Sequence, residues 1–150
     1  MKFTNAPVAW TPDTVCDSDK FNREIKEKMD DIEKGLSSKL ITSTRIMTAD
    51  PGDVSYNGVG FTPTSIQALT VIDGTVYFSV GFADSSKAGQ ALYEHAAVKG
   101  SGAYLILIAS ATNKFQTAIV KSYDADGFTL TWTKTGTPTG TVKLSFLCFR

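Results

Sequence analysis

Apolar positions along this chain follow two different periods. In "DSDKFNREIKEKMDDIEKGLSS", Phe21, Ile25, Met29, Ile32 and Leu36 recur at spacings of 4, 4, 3 and 4. That spacing puts them on one stripe of an α-helix, with lysines and carboxylates around the rest. Asp17, Ser18 or Asp19 serves as the helix cap, and Gly35 loosens the far end. A helix of this length is marginal alone in water. Each stripe residue contributes about 1.5–3 kcal/mol if fully buried. The stripe therefore predicts a receiving surface. Three surfaces fit: the chain's own β-domain, other copies of the chain (a trimer is the first choice), or another protein. Upstream, Pro7 and Pro12 keep the chain extended around Trp10.

From Ile41 the period shortens to two. "STRIM" predicts a first strand. "SIQALTVI" and "TVYFSVGF" flank Asp73-Gly74, a strong two-residue hairpin signal. In the second of these Val76, Phe78, Val80 and Phe82 share a face. "AYLILIA" is a continuous apolar run, which predicts a central strand covered on both sides. "FTLTWTK" alternates Phe128, Leu130 and Trp132 toward a core with Thr129, Thr131 and Thr133 toward water or a neighbouring subunit. "TVKLSFLCF" is apolar on both faces at its end. This predicts a central strand, or a Phe149 that meets another chain. "SKAGQALYEHAAVKG" mixes alanine with glycine and is read as a loop with a helical turn. So many short strands between Gly, Pro and Asx turns predict an all-β, antiparallel β-sandwich carrying an extended N-terminal arm and one amphipathic helix.

Composition places the boundary. Of 15 basic and 15 acidic side chains, half lie before residue 42, whereas 3 threonines precede that residue and 16 follow. The chain is divided accordingly into an arm and helix over 1–41, for docking or oligomerisation, and a β-sandwich over 42–150. Net charge is zero and the pI is about 6.6. No basic excess exists to neutralise phosphates, so nucleic acid is a poor partner. No apolar run is long enough to cross a membrane or to act as a secretion signal, so a soluble product made in the cytosol is expected. Cys16 and Cys148 are expected as two reduced thiols.

Chemistry is harder to find. His95 is the one histidine, and its neighbour Glu94 points the other way in a strand. One histidine and two distant cysteines cannot make a four-ligand zinc site. Asp124 and Asp126 in "DADG" are too few for a calcium loop and read as a turn. Asp50, Asp53, Asp73 and Asp84 all fall at predicted turns, and "GVGF" does not open a helix. No catalytic residue, metal ligand or cofactor is expected.

Three segments carry a resemblance: "GVGFTPTSIQALTV", "FSVGFAD" and "AIVKSYDADGFTLTWTKTGTPTGTVKLSFLCF". Together they resemble the β-domain of bacteriophage virion structural proteins, over roughly residues 55–150. Gly60, Phe61, Pro63, Gly81, Phe82, Asp126, Gly127, Phe128 and Trp132 match its motif, as structural residues. The pattern is more faintly similar to H-type lectin domains, which form trimeric sandwiches and bind sugars. The arm resembles phage attachment segments through Trp10, the Phe21-Asn22 pair and the charged helix. The resemblance implies a jelly-roll or H-type-lectin-like sandwich in a non-enzymatic capsid decoration (cement) protein, or a short head or tail fibre. Such a protein is a homotrimer in a virion assembled in the host cytoplasm. Its partners are its own copies and the major capsid or tail proteins. The expected interface residues are Trp10, Phe21, Asn22, Ile25, Met29, Ile32, Leu36 and Phe149. The alternative is a glycan-binding module for host attachment, with Tyr56, Tyr93 and Tyr123 as candidates by residue type.

Overall fold

The computed structural model describes residues 18–35, 37–96 and 98–150. Trp10, Cys16, Leu36 and the expected extended arm lie outside them. The chain forms two compact units that divide between Gly35 and Leu36, and each is described by itself. The first contains helix α1, Ser18–Gly35, with Asp19 in its first turn. It forms where the apolar stripe predicts it.

The second unit is the expected all-β sandwich. Its strands are β1 (Ser38–Ile46), β2 (Gly52–Asn57), β3 (Ser65–Ile72), β4 (Phe78–Ala83) and β5 (Gly89–His95), followed by β6 (Val98–Gly102), β7 (Ile106–Ala111), β8 (Lys114–Asp124), β9 (Gly127–Thr135) and β10 (Thr141–Phe149). One sheet has six strands in the order β1-β10-β3-β4-β5-β6, and the other has four in the order β2-β9-β8-β7. Every pairing is antiparallel. The last strand is thus internal to its sheet, which accounts for its apolar character. The composition boundary at 41/42 falls inside β1, which pairs with β10 from Ser38 onward.

Three segments differ from expectation. "SKAGQALYEHAAVKG" is not a loop: it supplies the β5–β6 hairpin, closed by Ala96 at φ 51°. Its alternation of Ala91 (buried) with Gln90 and Leu92 (exposed) outweighs the helix preference of alanine. The Asp73-Gly74 hairpin is wider than two residues. β3 ends at Ile72 and β4 starts at Phe78, because Thr75 accepts the Tyr77 amide on its hydroxyl and donates that hydroxyl to the Ile72 carbonyl. "AYLILIA" yields an edge strand, β7, not a central one. Its Ile106, Ile108 and Ala109 are buried because β5 and β4 of the other sheet pack over it, and Ser79 Oγ accepts the Leu107 amide at 3.2 Å.

The core lies between the sheets. Phe128, Leu130 and Trp132 face it as predicted. Tyr56, Phe128 and Phe146 cluster with centroids 4.9–5.3 Å apart, Tyr56 stacked on Phe128 and Phe146 tilted or edge-on to both. Cys148 is a buried free thiol, and burial pushes it up to about 11, so it stays protonated and inert. At one end a polar bracket holds the β1–β2 turn. The Gln116 amide, fully buried, donates to the carbonyls of Met47 at 2.8 Å and Ala49 at 3.2 Å. Its oxygen accepts Arg45 Nε at 2.8 Å, and the Arg45 guanidinium lies 4.5 Å above the Trp132 ring. Burial lowers the Arg45 pKa from its ordinary value.

Gln116→Leu keeps the volume but leaves those carbonyls and Arg45 without the amide. It should lower stability by about 2–3 kcal/mol, read as a reduced urea midpoint at unchanged m-value. An unshifted midpoint would remove the bracket from the account.

Candidate interaction surface

The motif residues converge on two places. Asp126, at the β8–β9 turn, accepts the Gly60 amide at 2.6 Å and the Gly58 amide at 3.1 Å, and its own carbonyl accepts the Val59 amide. Gly127 follows because a Cβ there would overlap the Tyr56 carbonyl oxygen. Phe61 and Pro63 are buried beyond this loop, and the Arg150 guanidinium lies 5.2 Å from the Phe61 ring. "GVGF" and "DADGF" thus form one clasp at the end of the neighbouring strands β2 and β9, closed by a carboxylate. The second place is β4. A Cβ on Gly81 would overlap the Leu105 carbonyl, so only glycine fits beneath that crossing. Three residues on, Asp84 accepts the Ser86 amide and hydroxyl, and those bonds hold its carboxyl below the ordinary range.

The two outward faces of the sandwich differ in chemistry. On the four-stranded sheet the threonines bond to one another and to neighbours. Thr117 and Thr133 hydroxyls meet at 2.5 Å, and Ser55 and Thr129 at 2.8 Å. Thr131 donates to Asp53 at 2.6 Å, and Lys121 bonds the same carboxylate. The Lys121 bond first, then Thr131, holds Asp53 below the usual carboxylate pKa. These are cross-strand pairs of the kind that stabilise a solvated sheet.

The six-stranded sheet is different. Its outward side chains include Leu40 on β1, Leu69 on β3, Phe82 on β4 and Leu92 on β5, all exposed. Val71, Phe78, Val80 and Leu147 are half-buried on the same face. On β4 the residues turned inward are Ser79, Gly81 and Ala83. The shared face of Val76, Phe78, Val80 and Phe82 is therefore the outer one. Phe149, expected at an interface, extends this face at the end of β10, half-buried beside Ser38 and Ser65. The register joins these residues into rows, and two shallow depressions of about 450 and 430 Å³ lie among them.

On α1, Phe21 is 56%, Ile25 42%, Met29 62% and Ile32 59% exposed, and Asn22 is exposed too. The structure thus displays the helix residues named as interface candidates, save Leu36.

The remaining candidates have structural surroundings. His95 packs against Tyr77 with ring centroids 4.5 Å apart. Tyr56 belongs to the core, which corrects its reading as a solvent-facing aromatic, and burial raises its pKa. Tyr123 donates to the Ala83 and Asp84 carbonyls. Burial first, then the Asp84 charge, pushes it up to about 12, which keeps it a donor. Among the described residues no three His, Cys, Asp or Glu side chains converge as metal ligands, and no helix is long and apolar enough to cross a membrane. The Arg45–Gln116 bracket, Tyr123 and the apolar outer face left weak sequence signals, since each joins residues far apart in the chain.

No family model matches the chain, and no curated protein matches it. Two solved structures of Scytalido-glutamic peptidase, each with a transition state analogue, align at 11% and 12% identity, both with a TM-score of 0.26. The alignments cover 74% and 76% of this chain, which spans 65% and 66% of those two. Similarity at that level carries nothing about chemistry to this chain.

Asp126→Ala should speed hydrogen exchange at the Gly58 and Gly60 amides about tenfold, since each loses about 1.4 kcal/mol of local protection. Unchanged exchange at both would show that the carboxylate does not hold the loop.

Proposed function

We propose that this chain is a non-enzymatic virion structural protein of the bacteriophage type. It acts as a homotrimer that docks on the particle through its arm and helix and displays the sandwich outward, as a capsid decoration protein or a short head or tail fibre. The observation that carries this reading is the apolar stripe of α1, whose four described members are all exposed on an otherwise charged helix. Such a helix is marginal by itself, and burying its stripe is what stabilises it. The motif residues support a structural role, because Asp126, Gly127 and Gly81 act on the backbone. Several polar groups have structural partners: Gln116 and Tyr123 donate to backbone carbonyls, and Asp53 is bonded to Lys121 and Thr131. Weak contacts by each helix add up through effective concentration once several copies engage one particle.

Ile25→Asp with Ile32→Asp should abolish co-sedimentation with purified virions while the thermal unfolding of the sandwich stays within about 2 °C of the unmodified chain. Equal pelleting of the double variant would refute helix docking, and failure of the unmodified chain to pellet would refute the particle reading.

A further inference from the structure

Besides the α1 stripe, the outer face of the six-stranded sheet exposes Leu40, Leu69, Phe82 and Leu92. Register fixes its rows. One runs Ser145, Leu69, Val80, Leu92 across β10, β3, β4 and β5, and the next runs Lys143, Val71, Phe78, Glu94 across the same strands. We propose that a second copy of this chain packs its six-stranded sheet face to face on this one, about a two-fold axis running along the strands between β3 and β4.

That axis superposes β3 on the partner's β4 and β10 on the partner's β5, row on row. Leu69 then meets the partner's Val80, and Val71 meets the partner's Phe78. The outermost side chain of the first row, Leu92 (60% exposed), comes over the partner's Ser145. Ser145 lines the 430 Å³ depression together with Leu40, Leu69 and Leu147, so a large side chain enters a gap left by a small one. In the next row Lys143 comes over the partner's Glu94, and Glu94 lines the 450 Å³ depression. The charges already present there are of both signs. Within one copy Lys143 pairs with Asp73 at 2.6 Å and Glu94 with Lys99 at 3.8 Å, so the rim gathers two acids and two bases per copy. These two rows are thus self-complementary, as an isologous contact requires, while in the third Phe82 meets the partner's Gln67 and Leu147 the partner's Gln90.

The size fits as well. Six strands ~4.8 Å apart and three outward rows give a face of ~29 by ~20 Å, roughly 600 Å² per copy and ~1,200 Å² in total, at the lower end of specific interfaces. Aligned sheets pack in this way inside sandwiches, about 10 Å apart. The opposite face has no such need, because its hydroxyls and carboxylates bond among themselves.

The test uses the full chain. Sedimentation equilibrium is expected to give a mass of two chains or a multiple of two, and Leu69→Asp is expected to weaken association at least tenfold. A zero-length carbodiimide cross-link is expected between Lys143 and Glu94 of different copies, identified in a mixture of ¹⁴N and ¹⁵N chains. K143E should weaken association, and K143E with E94K should restore it; these exposed positions carry the test if Leu69→Asp fails to fold. The Ile25/Ile32 double variant should retain the Lys143–Glu94 link, which separates this proposal from helix docking. A monomer, a mass of three chains without the link, or an unaltered mass in folded Leu69→Asp would overturn it.

Discussion

The Leu105 carbonyl lies so close to Gly81 that β4 can present only its small residues to the core. Ser79, Gly81 and Ala83 therefore turn inward, and the strict alternation of a strand sends Phe78, Val80 and Phe82 outward. Much of the outer apolar face follows from this one steric limit. A slip of one residue would bury the phenylalanines, but it would drive side chains into the Leu105 backbone and remove the Ser79 hydroxyl from the Leu107 amide. The register of β4 then passes to β3 and β5 by pairing, which brings Leu69 and Leu92 into the same row as Val80.

Two stacked sheets have four faces, and the chain buries two of them against each other. It treats the other two differently. The threonine face of the four-stranded sheet is finished by its own hydrogen bonds, with Asp53, Lys121 and Thr131 in one cluster. The outer face of the six-stranded sheet keeps its ion pairs, Lys143–Asp73 and Glu94–Lys99, beside exposed Leu40, Leu69, Phe82 and Leu92, and the described stripe of α1 is likewise exposed.

Much of this was legible in the sequence. Period two in "FTLTWTK" identified the inward face of β9, and the 4-4-3-4 spacing identified the stripe of α1, because both patterns are local. The β5–β6 hairpin was not legible, since its alanines favour helix locally and pairing with β4 overrides that preference. The edge position of β7 was hidden because burial by the opposite sheet reads like burial within a sheet. The alternation in β4 showed which residues share a face, but not that the larger ones turn outward. That depended on Leu105, more than twenty positions along the chain. The clasp of Asp126 on Gly58 and Gly60 likewise joins two motifs that the sequence shows only as separate turns.

The central claim is that other molecules cover the apolar faces in solution. Solvent paramagnetic relaxation of leucine and isoleucine methyls tests it most directly. Leu69 on the apolar face is 48% exposed within one chain and Ile119 on the threonine face 46%, so the two begin nearly equal. The account expects a soluble nitroxide to bleach Ile119 while Leu69 and Leu92 stay protected in the assembled protein. Equal bleaching of all three at concentrations where the protein is assembled would contradict it.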